Sequence, residues 1–234
     1  MSDHVVLELL LTYAIPRRDV KPMARELIRA FGSLENVFLA SPAELQKIEG
    51  IGIAASSFLH LIFEVNQRIL LQHFSDKNTK AILTNPQDAC RHALICSLSD
   101  HYETLRLFCL DVKYALLNSV EVSVGSLTEV PLDIRRTLEI ALLNRAHSLI
   151  LSHNHPSRSA APSPADLRTF TEFHETAKKL GIEVLDQLIV SGNCVYSYQN
   201  DLVYRFDRPE NCTAVTLDAY LDSLTSRQRR QTLA

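Results

Sequence analysis

The sequence predicts an α/β fold, a mixed sheet flanked by helices, preceded by a small all-α module. Strand-like and helix-like segments alternate between residues 86 and 198, which is typical of an α/β domain. Residues 1–75 show helical periodicity only. The length of 234 residues suits one ordinary domain plus a small one. We therefore expect a helical module at 1–75, an α/β domain at 76–200 and a C-terminal extension at 201–234.

The helical module contains a glycine pair between two predicted helices. Ser41 and Pro42 begin one helix, and Gly50 and Gly52 precede a long apolar one. This order predicts a helix-hairpin-helix, in which Gly50 and Gly52 allow a DNA phosphate to approach the backbone. The alternative is a tight turn between two packed helices. Residues 1–80 carry nine Lys or Arg against nine Asp or Glu, so the charge that dominates DNA affinity is balanced.

The α/β domain is predicted from apolar periodicity and helix boundary signals. Predicted helices span residues 86–97, 132–146 and 164–180, and predicted strands span 104–112, 116–124, 148–152, 182–190 and 194–198. Residues 215–224 have amphipathic helical character, and residues 226–230 are basic. The sequence leaves open whether this extension packs on a partner or is disordered.

The composition is that of a soluble globular protein, with 46% hydrophobic and 22% charged residues. A formal net charge of -3 gives no general attraction to nucleic acid or to an anionic membrane. The five cysteines form no C-x-x-C pair, which favours reduced thiols and a cytoplasmic location. We expect no signal peptide, no membrane span and no membrane partner.

The strongest functional signal is a pair of histidines at the end of a short apolar strand. His153 and His155 are two residues apart, so they project to the same side of an extended backbone. Ten residues separate His155 from Asp166, which lies in the first turn of a predicted helix. Ser163 caps that helix and Pro164 begins it. Two imidazoles and one carboxylate form a three-ligand zinc set with a fourth position for water.

Each of these residues also has an ordinary structural interpretation. A histidine near a strand end is often structural, and an aspartate in a first helical turn often serves capping and the helix dipole. The motif His-x-His by itself is weak. The combination of His153, His155, Pro156, Ser163 and Asp166 is a much more specific signal, and it favours zinc or a similar divalent ion.

The same five residues resemble the metal motif of the JAB/MPN (JAMM) metalloprotease fold. More closely, the run Leu151-Ser152-His153-Asn154-His155-Pro156-Ser157 resembles the bacterial RadC branch of that family. The resemblance implies a cytidine-deaminase-like mixed sheet, one zinc ion per chain and hydrolysis of an amide, peptide or isopeptide bond in a protein substrate. It implies Glu121, four residues before Gly125, as general base. It also implies Ser163 as a donor to the developing oxyanion, and it extends to the helix-hairpin-helix module.

Two other functions compete with a zinc-dependent peptidase or amidase. One is a DNA-associated repair or recombination accessory protein that acts by binding through the helical module. The other is a metal-dependent nuclease, but nucleases with two metals need several clustered carboxylates. The oligomeric state stays open.

Overall fold

The computed structural model describes residues 1–73, 81–98, 100, 102–124, 132–156 and 159–224. Gly125 and the basic stretch 226–230 lie outside these residues. The chain divides into two compact units, Met1–Leu70 and Leu71–Ala234. The division falls a few residues before the predicted boundary at residue 75.

The first unit is built from helices, as predicted. They are α1 (Asp3–Ala14), α2 (Lys21–Phe31), α3 (Leu34–Leu39), α4 (Pro42–Leu45) and α5 (Ile53–His73). All five contribute apolar side chains to one core, whose fully buried members include Leu7, Leu11, Leu27, Val37, Leu45 and Leu59. Among the helices of the described residues, not even the long α5 has the length and apolarity to cross a membrane.

The connection between α4 and α5 depends on one of its two glycines. Gly50 has a left-handed backbone with φ of 86°, and an added Cβ would lie 2.9 Å from the Sδ atom of Met23. An added Cβ on Gly52 would meet no atom within 4 Å. Gly50 is therefore needed for the turn itself, whereas the fold places no steric demand on Gly52. The helix-hairpin-helix assignment stays a prediction.

The second unit is a mixed α/β domain with seven strands in one sheet, which confirms the predicted fold class. The strands are β1 (Thr104–Leu110), β2 (Leu116–Val124), β3 (Ser148–Asn154), β4 (Glu183–Ser191), β5 (Cys194–Ser197), β6 (Leu202–Arg208) and β7 (Asn211–Thr216). The helices are α6 (Pro86–Cys96), α7 (Ile134–Leu143), α8 (Pro164–Lys179) and α9 (Leu217–Ser223). The spatial order of the strands is β2-β1-β3-β4-β5-β6-β7.

Strand β3 lies inside the sheet, with β1 antiparallel on one side and β4 parallel on the other. A parallel pair needs a crossover connection, and α8 supplies it between β3 and β4. The polypeptide therefore leaves the end of β3 through a loop and enters the first turn of α8. This route brings the C-terminal end of β3 close to the N-terminal end of α8.

The two faces of the sheet carry separate apolar cores. One core packs against α6 and includes Phe108 and Ile150. The other packs against α7 and α8 and includes Leu107 and Leu151. Since side chains alternate along a strand, these pairs define which way each residue of β1 and β3 points.

The predicted C-terminal extension at 201–234 is in large part the edge of the sheet. Strand β6 pairs with β5, and β7 pairs with β6. The predicted helix at 215–224 is shorter and begins at Leu217, where Thr216 caps it by accepting a hydrogen bond from the Ala219 N–H group. Strands β6 and β7 were not predicted because they are defined by pairing at the edge of the sheet. In β7 the sequence signal is also weak, since none of its residues is fully buried.

We predict that Gly50→Ala destabilises the α4–α5 connection by about 1–2 kcal/mol, because an alanine is strained in the left-handed region. Gly52→Ala is the matched control, and its free-energy change is expected to stay within about 0.5 kcal/mol. Hydrogen exchange of peptides from residues 42–73 measures the opening free energy in the full chain. Equal protection in the two variants would contradict this role of Gly50.

Candidate metal centre

Two imidazoles reach the centre because the sheet holds their backbone extended. Strand β3 is buried along its whole length. Just past its end, the His155 N–H group donates to the Val190 carbonyl of β4 at 2.7 Å, so the pairing with β4 continues through this residue. The side chains of His153 and His155 consequently point to the same side of the sheet. Their exposed fractions are 8% and 4%.

The carboxylate arrives from the first turn of α8, as predicted. Ser163 is the N-cap, and its Oγ accepts a hydrogen bond from the Asp166 N–H group at 3.1 Å. In return the Asp166 Oδ2 atom accepts a hydrogen bond from the Ser163 N–H group at 2.8 Å. This reciprocal capping box fixes the Asp166 side chain. Phe173 of α8 packs on the sheet and anchors the helix.

The three side chains meet at distances that suit one metal ion. The two Nε2 atoms of His153 and His155 lie 3.0 Å apart. The Asp166 carboxylate oxygens lie 3.4 Å from His153 Nε2 and 3.7 Å from His155 Nε2. Tetrahedral zinc with bonds of about 2.0–2.1 Å holds its ligand atoms about 3.3 Å apart. Among the described residues, this is the one group of three whose ligand atoms lie within 4.8 Å of one another.

The tautomer of His155 is set by the loop that follows it. His155 Nδ1 lies 2.9 Å from the Ser159 carbonyl oxygen, which can only accept a hydrogen bond. The proton therefore resides on Nδ1 and leaves a lone pair on Nε2, the atom that faces the other two ligands. A backbone carbonyl bound to the second nitrogen is the usual support of a metal-ligating histidine. His153 packs its ring edge-on against Phe170, with 5.7 Å between centroids.

The protonation state of Asp166 also suits a ligand. Burial alone would raise its pKa, but the hydrogen bond and charge of His153 and the hydrogen bonds from Ser163 hold the pKa well below the ordinary value. The carboxylate is therefore ionised at neutral pH. An ionised carboxylate beside two histidines, which bind a metal through their neutral imidazoles, is a donor set that suits a divalent cation.

The observed contact of Ser163, the oxyanion donor implied by the resemblance, is the helix cap. Its Oγ atom is an acceptor in the capping bond from Asp166. A hydroxyl has one proton to donate as well as two acceptor sites, so capping and donation are compatible. The donor role of Ser163 stays a prediction.

Glu121, the general base implied by the resemblance, lies on the other face of the sheet from the ligands. In β2 it is the register partner of Arg106, whose guanidinium contacts its carboxylate at 3.2 Å. Arg106 pairs in turn with Ser152 of β3, whereas His153 is the next residue and points to the opposite face. A general base has to come within hydrogen-bond reach of its proton. The structure does not bring Glu121 to the ligands, and its role as base stays a prediction.

A different carboxylate, Glu103, lies beside the ligand strand. Strands β1 and β3 pair with Leu105 opposite His153. This observed pairing ends two residues after Glu103, which directly precedes β1 and so lies close to the end of β3. The exposed fraction of Glu103 is only 5%.

Asn154, between the two histidines, forms hydrogen bonds to the backbone on both sides of Glu103. Asn154 Oδ1 accepts a hydrogen bond from the Thr104 N–H group at 2.6 Å. Asn154 Nδ2 donates to the Tyr102 carbonyl at 3.0 Å. One amide therefore fixes the backbone on both sides of Glu103. In the sequence Glu103 directly precedes an apolar strand, but its place beside the end of β3 follows only from the contacts of Asn154.

Comparison with known proteins identifies the family of this chain. A family model described as the RadC-like JAB domain matches residues 83–203. A UPF0758 protein of Rhodobacter capsulatus is 33% identical over 190 residues, covering 81% of this chain and 87% of the relative. UPF0758 proteins of Fusobacterium nucleatum (31% identity, 84% of this chain and 87% of the relative) and Ralstonia pickettii (33% identity, 85% and 87%) are also similar. The chain belongs to the RadC family of JAB-domain proteins.

Proposed function

We propose that this protein is a metal-dependent hydrolase that cleaves an amide, peptide or isopeptide bond, with zinc as the metal. The observation that carries the proposal is the set of ligand-atom separations between His153, His155 and Asp166, which bracket the value for tetrahedral zinc. Two imidazoles and one carboxylate are a donor set typical of catalytic zinc sites, since three protein ligands leave the fourth position open.

The ligands can hold the ion without rearrangement. His155 offers Nε2 because Nδ1 is committed to the Ser159 carbonyl, and Asp166 is already ionised and oriented by the cap. When bound, zinc supplies a Lewis acid that activates water near neutral pH and polarises a substrate carbonyl. The side chain of Asp166 is 20% exposed, so the ligands are accessible from the side on which α8 begins.

We assign the transfer of the proton to Glu103. A general base should take the proton of the attacking water and pass it to the leaving amine. Glu103 is buried, and it directly precedes β1, in the segment that Asn154 holds beside the end of β3. It is not a member of the ligand set, as expected of a base that acts on water. Ser163 is the candidate donor of one hydrogen bond to the developing oxyanion, a contribution worth about 2.7–4 kcal/mol in comparable sites.

We predict about one zinc ion per chain in purified protein, and loss of zinc in the His153→Ala and Asp166→Asn variants. Asparagine at 166 keeps an acceptor for the Ser163 N–H group, so the cap survives while the charged ligand is lost. His147→Ala, which removes an exposed imidazole just before β3, should retain zinc. Elemental analysis after equilibrium dialysis against zinc measures the zinc content per chain of each variant. A wild type without zinc, or variants that keep it, would contradict the site.

The assignment of the base is tested by two conservative variants. Glu103→Gln should lower the hydrolysis rate by about 10²–10⁴-fold with zinc retained, because general-base catalysis is worth that much. Glu121→Gln should stay near the wild-type rate. Fluorescence-quenched peptide libraries, one with α-linked and one with lysine ε-linked bonds, serve as substrates.

Each other outcome of that experiment rejects one part of the proposal. A loss of rate in Glu121→Gln alone would return the base role to Glu121. A zinc-loaded wild type that cleaves neither library would contradict the hydrolase function while leaving the metal site intact.

The second candidate is a DNA-associated accessory protein, and one observation favours it. The backbone at Gly52 has no atom near an added Cβ, and Gly52 and Ile53 at the start of α5 are exposed. A phosphate could therefore approach the amide groups that begin α5. The balanced charge of residues 1–80 argues for weak binding.

We expect the wild type to retard a DNA duplex in a gel-shift titration at about 50 mM salt. The retardation should disappear at about 200 mM salt. Gly52→Asp should abolish retardation, because it adds a negative charge and a side chain where the phosphate approaches. If the wild type gives no retardation even at low salt, the helical module has no role in DNA binding.

A further inference from the structure

The C-terminal helix α9 packs against the loop that follows the ligand histidines. Tyr220 of α9 is 4% exposed. It belongs to an apolar cluster that also contains Ala160 and Ala161 of that loop and Phe170 of α8. The helix and strand β7 lie after residue 203, where the family match ends.

The hydroxyl of Tyr220 makes a specific contact inside this cluster. Its Oη atom accepts a hydrogen bond from the Ala160 N–H group at 3.0 Å. That N–H belongs to the same planar peptide group as the Ser159 carbonyl. The Ser159 carbonyl is the acceptor for His155 Nδ1 at 2.9 Å. A single rigid peptide group therefore links Tyr220 to a proposed metal ligand.

We propose that Tyr220 is a positioning residue for His155, acting through the Ser159–Ala160 peptide group; this inference rests on the proposed metal site. With its N–H bound to Tyr220 and its carbonyl bound to His155, the peptide plane cannot rotate without breaking one hydrogen bond. The plane fixes the orientation of the imidazole ring. Hydrogen bonds in a chain also polarise one another, so the Tyr220 contact strengthens the carbonyl as acceptor and the Nε2 atom as donor to a metal.

The helix that carries Tyr220 is itself attached to the sheet. The Ser223 hydroxyl donates to the Tyr220 carbonyl at 2.7 Å, and Arg205 of β6 donates to the Ser223 Oγ atom at 3.3 Å. Leu217 and Leu221 pack against the same cluster as Tyr220. The segment after residue 203 thus contributes a support for the metal loop in addition to most of β6 and the whole of β7.

The test compares two variants that each lose one buried tyrosine hydroxyl. Tyr220→Phe removes the acceptor for the Ala160 N–H group. Tyr196→Phe is the matched control: Tyr196 is 3% exposed and lies in the same cluster, but its hydroxyl donates to Asp201 at 3.0 Å, away from the loop. Cobalt(II) titration followed by visible absorption reports both the dissociation constant and the ligand geometry in the full chain.

We expect Tyr220→Phe to weaken cobalt binding by about tenfold or more, the size found for residues that support metal-ligating histidines, and to change the visible spectrum. Tyr196→Phe should match the wild type in both cobalt affinity and visible spectrum. Nitrogen-15 NMR of the metal-free protein gives a second measurement: the Nδ1-protonated form of His155 should dominate in the wild type and decline in Tyr220→Phe.

Three outcomes would overturn the inference, and they differ from one another. A Tyr220→Phe variant with the wild-type affinity, spectrum and tautomer would show that the hydroxyl does not position His155. Equal weakening in both variants would reduce Tyr220 to a general contribution to stability. A wild type that binds no cobalt or zinc would reject the proposed metal site first, and this inference with it.

Discussion

The candidate metal centre depends on the pairing of β3 with a strand on each side. Strand β1 pairs with it antiparallel and β4 pairs with it parallel. The bond from the His155 N–H group to Val190 continues the β4 pairing past the strand end. Both ligand histidines therefore leave a rigid, buried backbone at the spacing of an extended chain. A site built on such an element loses little conformational entropy when it binds.

The second constraint is electrostatic. The Asp166 carboxylate and the two Nε2 atoms lie within 4.8 Å of one another in a mostly buried position, and a buried anion requires compensation. The helix start and the Ser163 N–H group supply part of it. A divalent cation would supply the rest, and it would also replace the close contact between the two imidazoles.

The candidate ligand set could be predicted from the sequence because each part of it is local. The spacing of His153 and His155 needs only an extended backbone, and Asp166 needs only the capping box that Ser163 begins. Glu103 could not be predicted, because its place beside the end of β3 follows from contacts between residues about 50 positions apart. The resemblance implied Glu121 instead, but the register of β2 puts that residue beside Arg106 on the other face. Tyr220 was missed for the same reason as β6 and β7: contacts at the sheet edge, not local periodicity, define that region.

The most direct test of the proposed metal site is anomalous diffraction at the zinc edge from crystals of zinc-loaded protein. We expect one strong peak at about 2.0–2.2 Å from the Nε2 atoms of His153 and His155 and from a carboxylate oxygen of Asp166. We also expect the Glu103 carboxylate on the open side of that peak, outside direct bonding distance. No peak at this position, or zinc bound at about 2.3 Å to a cysteine sulfur elsewhere, would contradict the proposed site.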